Sequence, residues 1–398
     1  MNNKINVLLI IFGFLCLNNK AINAQFEIGH TTITFNDPNR TGGFGSGGGP
    51  GRQIQTEIYY PADAAGTDIA VANGEFPVIV FGHGFVMTWS AYENIWEELV
   101  PQGYIMAFPR TEGGFTPSHA NFGMDLSLVL DDMLAFNQDN GSLFFERLNG
   151  RSALMGHSMG GGSAMLAAAQ NTNANTVICL APAETNPSAI DAAEDIAIPA
   201  LVLSGGNDGV TPDDEHHIPI YDALASECKY FVSILGGAHC YFANSNTNCD
   251  FGELTASSGI SITRAEQQQT SYDAYTPWMD FYLKENAVAL VNFENFTEND
   301  SRVQATTNCS NTVNLYDENQ LEVNLILHPN PTHETLSISL ENSQAQKGMI
   351  IDQLGRIVME FVLSDAYVEL NLSHLPNGLY FVELQQNGIK FNKKFIKR

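Results

Sequence analysis

Three residues of this chain have the type and the setting for nucleophilic chemistry on a carbonyl carbon: Ser158, Asp208 and His239. Ser158 is the middle of Gly156-His157-Ser158-Met159-Gly160, which follows the apolar run Ala153 to Met155 and leads into a small-residue, Ala-rich segment reaching Gln170. A strand that turns sharply into a helix holds its middle residue in a strained backbone conformation, and glycines two positions to either side leave room for the turn. The hydroxyl is thereby lifted clear of the sheet, at a helix N-terminus whose N–H groups and dipole favour negative charge on a substrate oxygen. Asp208 closes the stretch Ser204 to Asp208 after the apolar run Pro199 to Leu203, and His239 closes Gly236 to His239 after Tyr230 to Leu235. In the chain order Ser, Asp, His, the imidazole takes the hydroxyl proton while the carboxylate orients the ring and stabilises the imidazolium.

Such groups need a scaffold that gathers strand ends. Gln53 to Tyr60 alternates like a strand, Phe76 to Phe81 (FPVIVF) is a continuous apolar run, and Tyr104 to Phe108 and Thr176 to Ala181 repeat that pattern. Between them Ala91 to Val100, Met124 to Phe136 and Ile218 to Ser226 read as helices. The alternation predicts an α/β fold with a mostly parallel sheet covered on both faces and its chemistry beyond the strands' carboxyl ends, and the chain order Ser158, Asp208, His239 is the one expected of an α/β-hydrolase triad. Gly82, His83, Gly84 and Phe85 follow FPVIVF directly, where a hydrolase with a nucleophile elbow places its second oxyanion donor. The expected oxyanion donors are the backbone N–H groups of Phe85 and Met159, with the His83 ring supporting the loop.

The 398 residues carry a formal net charge of −26 and 44% hydrophobic residues, enough for a substantial core in more than one domain. From Glu322 onward there are 8 acidic and 7 basic residues, so nearly all the excess acid lies earlier. That balance argues against nucleic acid or an anionic membrane as partner. Lys4, the apolar run Val7 to Leu17 and the small residues ending at Ala24 predict a signal peptide over 1–24, and no later run predicts a transmembrane segment. Five cysteines then remain, an odd number that in an exported protein predicts one free thiol, assigned to Cys179 in its apolar run. Cys240 and Cys249 are expected to form a bridge that fixes the loop carrying His239; Cys249 with Cys309, or Cys228 with either, are the competing pairings.

Two other stretches could mislead. Gly43, Gly45 and Gly48 match a dinucleotide spacing, but the run leads into a strand rather than a helix and reads as a loop. Asp213, Asp214, Glu215, His216 and His217 could group around a metal, yet Pro212 followed by acids also suits a helix's first turn. Neither metal nor organic cofactor is expected.

The segments GHSMGGGSAM, LSGGNDGVTP with PIYDAL, and ILGGAHCYFA resemble the corresponding stretches of the bacterial cutinase and poly(ethylene terephthalate) hydrolase group, within the dienelactone-hydrolase-like α/β-hydrolases. The resemblance covers roughly residues 50 to 285. It implies Ser158, Asp208 and His239 as the triad, Phe85 and Met159 as oxyanion donors, and the Phe85 ring at the start of the substrate cleft. Polyester-degrading members carry a tryptophan just after the strand that follows the elbow, where this chain has Ala181, Pro182, Ala183 and Glu184. That difference counts against an aromatic polymer; Ala183 marks the position and Trp89 is the candidate for the missing face.

The tail changes character. Residues 291–322 read as a linker after a catalytic domain spanning 25–290. Short alternating runs such as Thr335 to Leu340 and Tyr380 to Leu384 then predict a small β-sandwich over 323–398. Its motifs resemble the C-terminal sorting domain of the type IX secretion system of Bacteroidota. Together the two resemblances imply an exported or surface-attached serine hydrolase acting on an ester or polyester, delivered by the type IX machinery. Alternatives are a lipase, acylhydrolase or peptidase on the same fold, or a non-catalytic surface-displayed binding protein; turnover of a short p-nitrophenyl ester, abolished by Ser158→Ala, decides against the last, and activity confined to amides would decide for a peptidase.

Overall fold

The computed structural model describes residues 26–309, 325–340, 346–353, 356–363, 367–386 and 389–398. The expected signal peptide and the second half of the expected linker lie outside these residues. One sheet contains β1 (Glu27–Asp37), β2 (Gly43–Phe44), β3 (Arg52–Ala62), β4 (Gly66–Thr67), β5 (Phe76–Gly82), β6 (Ile105–Pro109), β7 (Leu148–His157), β8 (Thr176–Leu180), β9 (Ala200–Gly205), β10 (Cys228–Ile234) and β11 (Val303–Cys309). Its order is β11-β10-β9-β8-β7-β5-β6-β3-β1-β4, with β2 beside β3. From β6 to β10 every pairing is parallel, and antiparallel β3 and β1 extend one side while β11 closes the other.

The helices are α1 (Glu93–Leu99), α2 (His119–Ala135), α3 (Met159–Ala168), α4 (Ala189–Ala193), α5 (His217–Ala223), α6 (Thr247–Ala256), α7 (Arg264–Lys284) and α8 (Ala287–Asn299). Period-two alternation sorts each strand between two cores. Val78, Val80, Leu154 and Val202 pack with Leu126 and Val129 of α2, Met165 of α3 and Ile220 of α5. Ile79, Phe81, Met155 and Leu203 pack on the other face with Ile95 of α1, Trp278 of α7 and Phe293 of α8. Each fully buried side chain of this size contributes about 1.5–3 kcal/mol. The Trp278 indole is buried at no polar cost, because its N–H donates to Thr176 Oγ1 at 2.8 Å.

The chain does not become a linker at residue 291. Helix α8 runs on to Asn299, burying Ala289, Phe293 and Phe296 at helical spacing, and β11 pairs with β10 from Cys228↔Cys309 to Ile234↔Val303. A disulfide joins Cys228 to Cys309. The Asn, Thr and acidic residues of this stretch lie largely on the exposed sides of this helix and edge strand. The glycine-rich stretch also gains a role: β2 lies parallel to β3 within a strand-to-strand connection.

The tail holds two antiparallel sheets. β12 (Leu325–His328), β13 (Thr335–Leu340) and β16 (Tyr367–Asn371) form one, and β14 (Gln346–Asp352), β15 (Ile357–Leu363), β17 (Gly378–Gln386) and β18 (Ile389–Lys397) form the other. Leu336 and Ile338 of the first share a core with Ile350, Val382 and Phe395 of the second. Alternating inward side chains from two facing sheets make a sandwich.

Candidate active site

The elbow is set by backbone geometry. Ser158 caps α3 with φ +57° and ψ −124°, in the region that L-residues seldom adopt. A Cβ on Gly156 would meet Gly160 O at 2.3 Å, and one on Gly160 would meet Gly82 O at 2.1 Å, so β5, β7 and α3 converge only with glycine at both positions. The Ser158 N–H donates to Leu180 O at 2.9 Å, and its carbonyl accepts from Ala183 N at 2.9 Å.

Beyond β9, the Asp208 side chain is fully buried and its hydrogen-bonding capacity is filled. Oδ1 accepts from the Val210 and Thr211 N–H groups, both at 2.8 Å; Oδ2 accepts from Thr211 Oγ1 at 2.9 Å and from His239 Nδ1 at 2.7 Å. Burial alone pushes this carboxyl up, but the neighbouring His239 and the ring of donors overcome it and hold Asp208 below the usual carboxylate range. His239 is therefore fixed by its Nδ1 side.

His239 is tied to the elbow through a residue the sequence did not single out. The His157 ring, fully buried beside Ser158, donates from Nε2 to the His239 carbonyl at 3.0 Å. Its Nδ1 lies 2.9 Å from the Tyr92 hydroxyl, which also accepts from Gly84 N at 2.8 Å. Burial holds His157 well below its ordinary range, so the ring is neutral: Gly84 N–H donates to Tyr92, Tyr92 to His157, and His157 to the His239 backbone. One chain of hydrogen bonds thus joins the loop before Phe85, the elbow and the loop of His239.

The Met159 N–H opens α3, where no intrahelical acceptor exists, and Phe85 sits between Gly84, held by Tyr92, and Val86 at φ +54°. The Phe85 ring is half exposed. His83 is buried between the carbonyls of Gly84 and Thr111, which suits support of the loop. Ala183 is half-buried beside the elbow. Trp89 places its N–H on the Tyr59 hydroxyl at 3.1 Å and has Arg110 4.2 Å over its ring; it lines a cleft of about 470 Å³ with Phe44 and Met87.

Helix α6 follows His239 and is fastened to the loops that carry His239, Phe85 and Asp208. Its Cys249 is bonded to Cys240, and Glu253 accepts from Cys240 N. Asn248 donates to Val86 O at 3.2 Å, and Ser257 accepts from Gly209 N at 2.8 Å. Phe251 and Leu254 stand exposed on this helix. Cys179 is the free, buried thiol, facing Gly161 O. The residues from Asp213 to His217 do not form one ligand set: His216 accepts from Glu184 N, while His217 turns inward behind Asp208. Among the described residues no group of three or more His, Cys, Asp or Glu side chains is placed to hold a metal.

A largely parallel sheet with helices on both faces and a strained serine at the strand-to-helix turn defines an α/β-hydrolase. The PET hydrolase-like family profile matches residues 20–278, and the chain belongs to that family. Cutinase est1 of Thermobifida alba is 27% identical over 226 residues, covering 56% of this chain and 68% of its own. The bis(hydroxyethyl) terephthalate hydrolase of Streptomyces coelicolor is 26% identical over 191 residues, 48% of this chain and 56% of its own. Cutinase 2 of Thermobifida cellulosilytica is 24% identical over 213 residues, 53% of this chain and 72% of its own. Residues 326–398 match the secretion system C-terminal sorting domain. The protein is an ester hydrolase of this family, and its tail marks it for type IX secretion. No helix among the described residues is long and apolar enough to cross a membrane.

Proposed function

We propose that the protein is a cutinase- or polyesterase-like serine carboxylic ester hydrolase that works through an acyl-enzyme on Ser158. His239 Nε2 takes the Ser158 proton as Oγ attacks the ester carbonyl, and Asp208 holds the ring and stabilises the imidazolium. The carbonyl oxygen becomes an oxyanion facing the N–H groups of Phe85 and Met159, each such donor contributing about 3–4 kcal/mol to the barrier reduction. His239 then returns the proton to the leaving alcohol, and a water deprotonated by the same ring releases the acid.

One observation carries this reading. The buried Asp208 carboxylate bonds His239 at 2.7 Å, while the residue next to Ser158 bonds the His239 backbone. Base and nucleophile loops are held as one unit. The half-exposed Phe85 ring supports a neutral, apolar ester as substrate, to which the chain's net charge of −26 offers no repulsion. The tail's partner on this reading is the type IX machinery. The test is a panel of p-nitrophenyl esters from acetyl to long acyl, together with an aliphatic and an aromatic polyester, for the parent and Ser158→Ala. Ester turnover abolished by Ser158→Ala supports the reading; turnover of amides alone, or esterase activity that survives Ser158→Ala, refutes it.

A further inference from the structure

The polar side chains behind Asp208 form a second arrangement that the proposed mechanism does not use. Thr211 Oγ1 lies 2.9 Å from Asp208 Oδ2, 2.9 Å from His239 Nδ1 and 3.0 Å from His217 Nε2. His217 Nδ1 in turn lies 2.9 Å from Ser204 Oγ, at the end of β9. Ser204 and His217 are completely buried and Thr211 nearly so. Buried polar groups persist only when bonded, so the direction of each bond can be counted out.

Thr211 has one hydroxyl proton, and the strongest acceptor in reach is the Asp208 carboxylate. Its oxygen then accepts, and His217 must carry its proton on Nε2. Nδ1 is left as an acceptor, which the Ser204 hydroxyl fills at 2.9 Å in preference to the Gly205 carbonyl 3.3 Å away. The chain runs from Ser204 to His217, from His217 to Thr211 and from Thr211 to Asp208. His217 Nε2 lies only 3.8 Å from Asp208 Oδ2, close enough for an imidazolium there to compete with His239 for the same oxygen. Burial prevents this, pushing His217 down to about 3 and leaving it a neutral donor. The titratable groups around the relay are Asp208 and His239 on their loops, His157 beyond His239, and His216 at the start of α5.

We infer that Thr211 and His217 are positioning residues: the relay from Ser204 fixes the carboxylate oxygen that faces His239 and tempers the negative charge it presents. This rests on the reading in which Asp208 and His239 act with Ser158. A carboxylate with one donor fewer holds more charge against the imidazolium, so loss of the Thr211 hydroxyl has two effects. The ring is less well aimed, and protonated enzyme persists to higher pH.

The experiment compares Thr211→Val, Thr211→Ser, His217→Gln and His217→Leu in the full chain. It measures kcat and KM across pH on a soluble ester, with folding followed by circular dichroism and Tm. Thr211→Val should lower kcat by about 10- to 100-fold, the range for losing a hydrogen bond to a charged group, with KM nearly unchanged. The acid limb of its kcat/KM profile should move to higher pH. Thr211→Ser, which keeps the hydroxyl, should restore both; His217→Gln, which keeps a donor near the Nε2 position, should resemble the parent more than His217→Leu does. If the His217 variants fail to fold, the Thr211 pair decides. Wild-type kcat and profile in Thr211→Val, or a loss that Thr211→Ser does not rescue, overturns the relay. A fall in kcat with the limb unmoved overturns it too, leaving a merely structural hydroxyl. Ser158→Ala run alongside keeps the questions apart: an inactive Ser158→Ala with a fully active Thr211→Val refutes the relay alone, whereas an active Ser158→Ala refutes the reading beneath it.

Discussion

Replacing Asp208 by Asn removes a charge and almost no volume, and the structure says which bonds follow. With its carbonyl at the Oδ1 place, the amide still accepts from the Val210 and Thr211 N–H groups. Its NH₂ then stands where Oδ2 was, facing the His239 Nδ1–H and the Thr211 hydroxyl, so donors meet donors. The ring is driven to the wrong tautomer or out of line. The imidazolium formed during acyl transfer also loses its counter-charge. With charge centres roughly 4 Å apart and an effective dielectric near 20, the lost attraction is about 4 kcal/mol. That corresponds to a fall in kcat of roughly a thousandfold.

The assay is steady-state and burst-phase hydrolysis of a soluble p-nitrophenyl ester, where KM should change little because the Asp208 side chain is fully buried. Stability should respond to acid in a related way. The folded Asp208 lies below its ordinary value of 3.8, so its contribution is present above that value and is lost as pH falls through the lower folded value. Asp208→Asn should therefore lose less stability than the parent over that most acidic interval. Near-full activity in Asp208→Asn, with Asp213→Asn or Asp214→Asn inactive, would refute the assignment of Asp208.

Three further outcomes follow from the same geometry. Cys240→Ser with Cys249→Ser opens a bridge between residues nine apart and should cost about 2–3 kcal/mol by loop closure, read as faster thermal inactivation; unchanged inactivation and turnover would show that the bond does not steady the His239 loop. A chain ending at residue 290 should melt lower and aggregate more than one ending at 312, because only the longer one keeps β11 on the β10 edge and the Cys228–Cys309 bond; equal Tm values would contradict this. Ala183→Trp, placing a ring beside the elbow, should raise hydrolysis of an aromatic polyester several-fold over an aliphatic one, given about 1 kcal/mol for an aromatic contact; an unchanged ratio would mean that this position does not face the polymer.

The parallel strands and the three candidate residues Ser158, Asp208 and His239 were legible in the sequence for one physical reason. Strands buried on both faces are continuous apolar runs, and a reacting group beyond such a run announces itself by polarity alone. FPVIVF, ALM and the runs before Asp208 and His239 meet that condition. Helix α8 and strand β11 do not. Ala289, Phe293 and Phe296 keep helical spacing, but Asn, Glu and Thr around them mask it, and an edge strand with the pattern of β11 has few apolar positions to show. Helix α7 left a local mark that went unread, the capping box of Thr263 and Glu266. Helix α6 left almost none, because what holds it is a disulfide to Cys240 and side-chain bonds to the Val86 and Gly209 loops.

His217 is the sharpest case. In the sequence it ends a run of acids and histidines that reads as a metal group or as a helix's first turn. In the structure it is fully buried, nine positions beyond Asp208 yet back against it through Thr211. Spacing cannot reveal this, because the turn at residues 213–216 reverses the chain before α5 begins, and the Ser204 that completes the relay belongs to β9. A neutral histidine at that depth is tolerable only if both ring nitrogens are satisfied. The two hydroxyls that satisfy them are what turn a buried side chain into a brace for the carboxylate, and the Thr211 pair of variants tests that dependence by removing or keeping one of them.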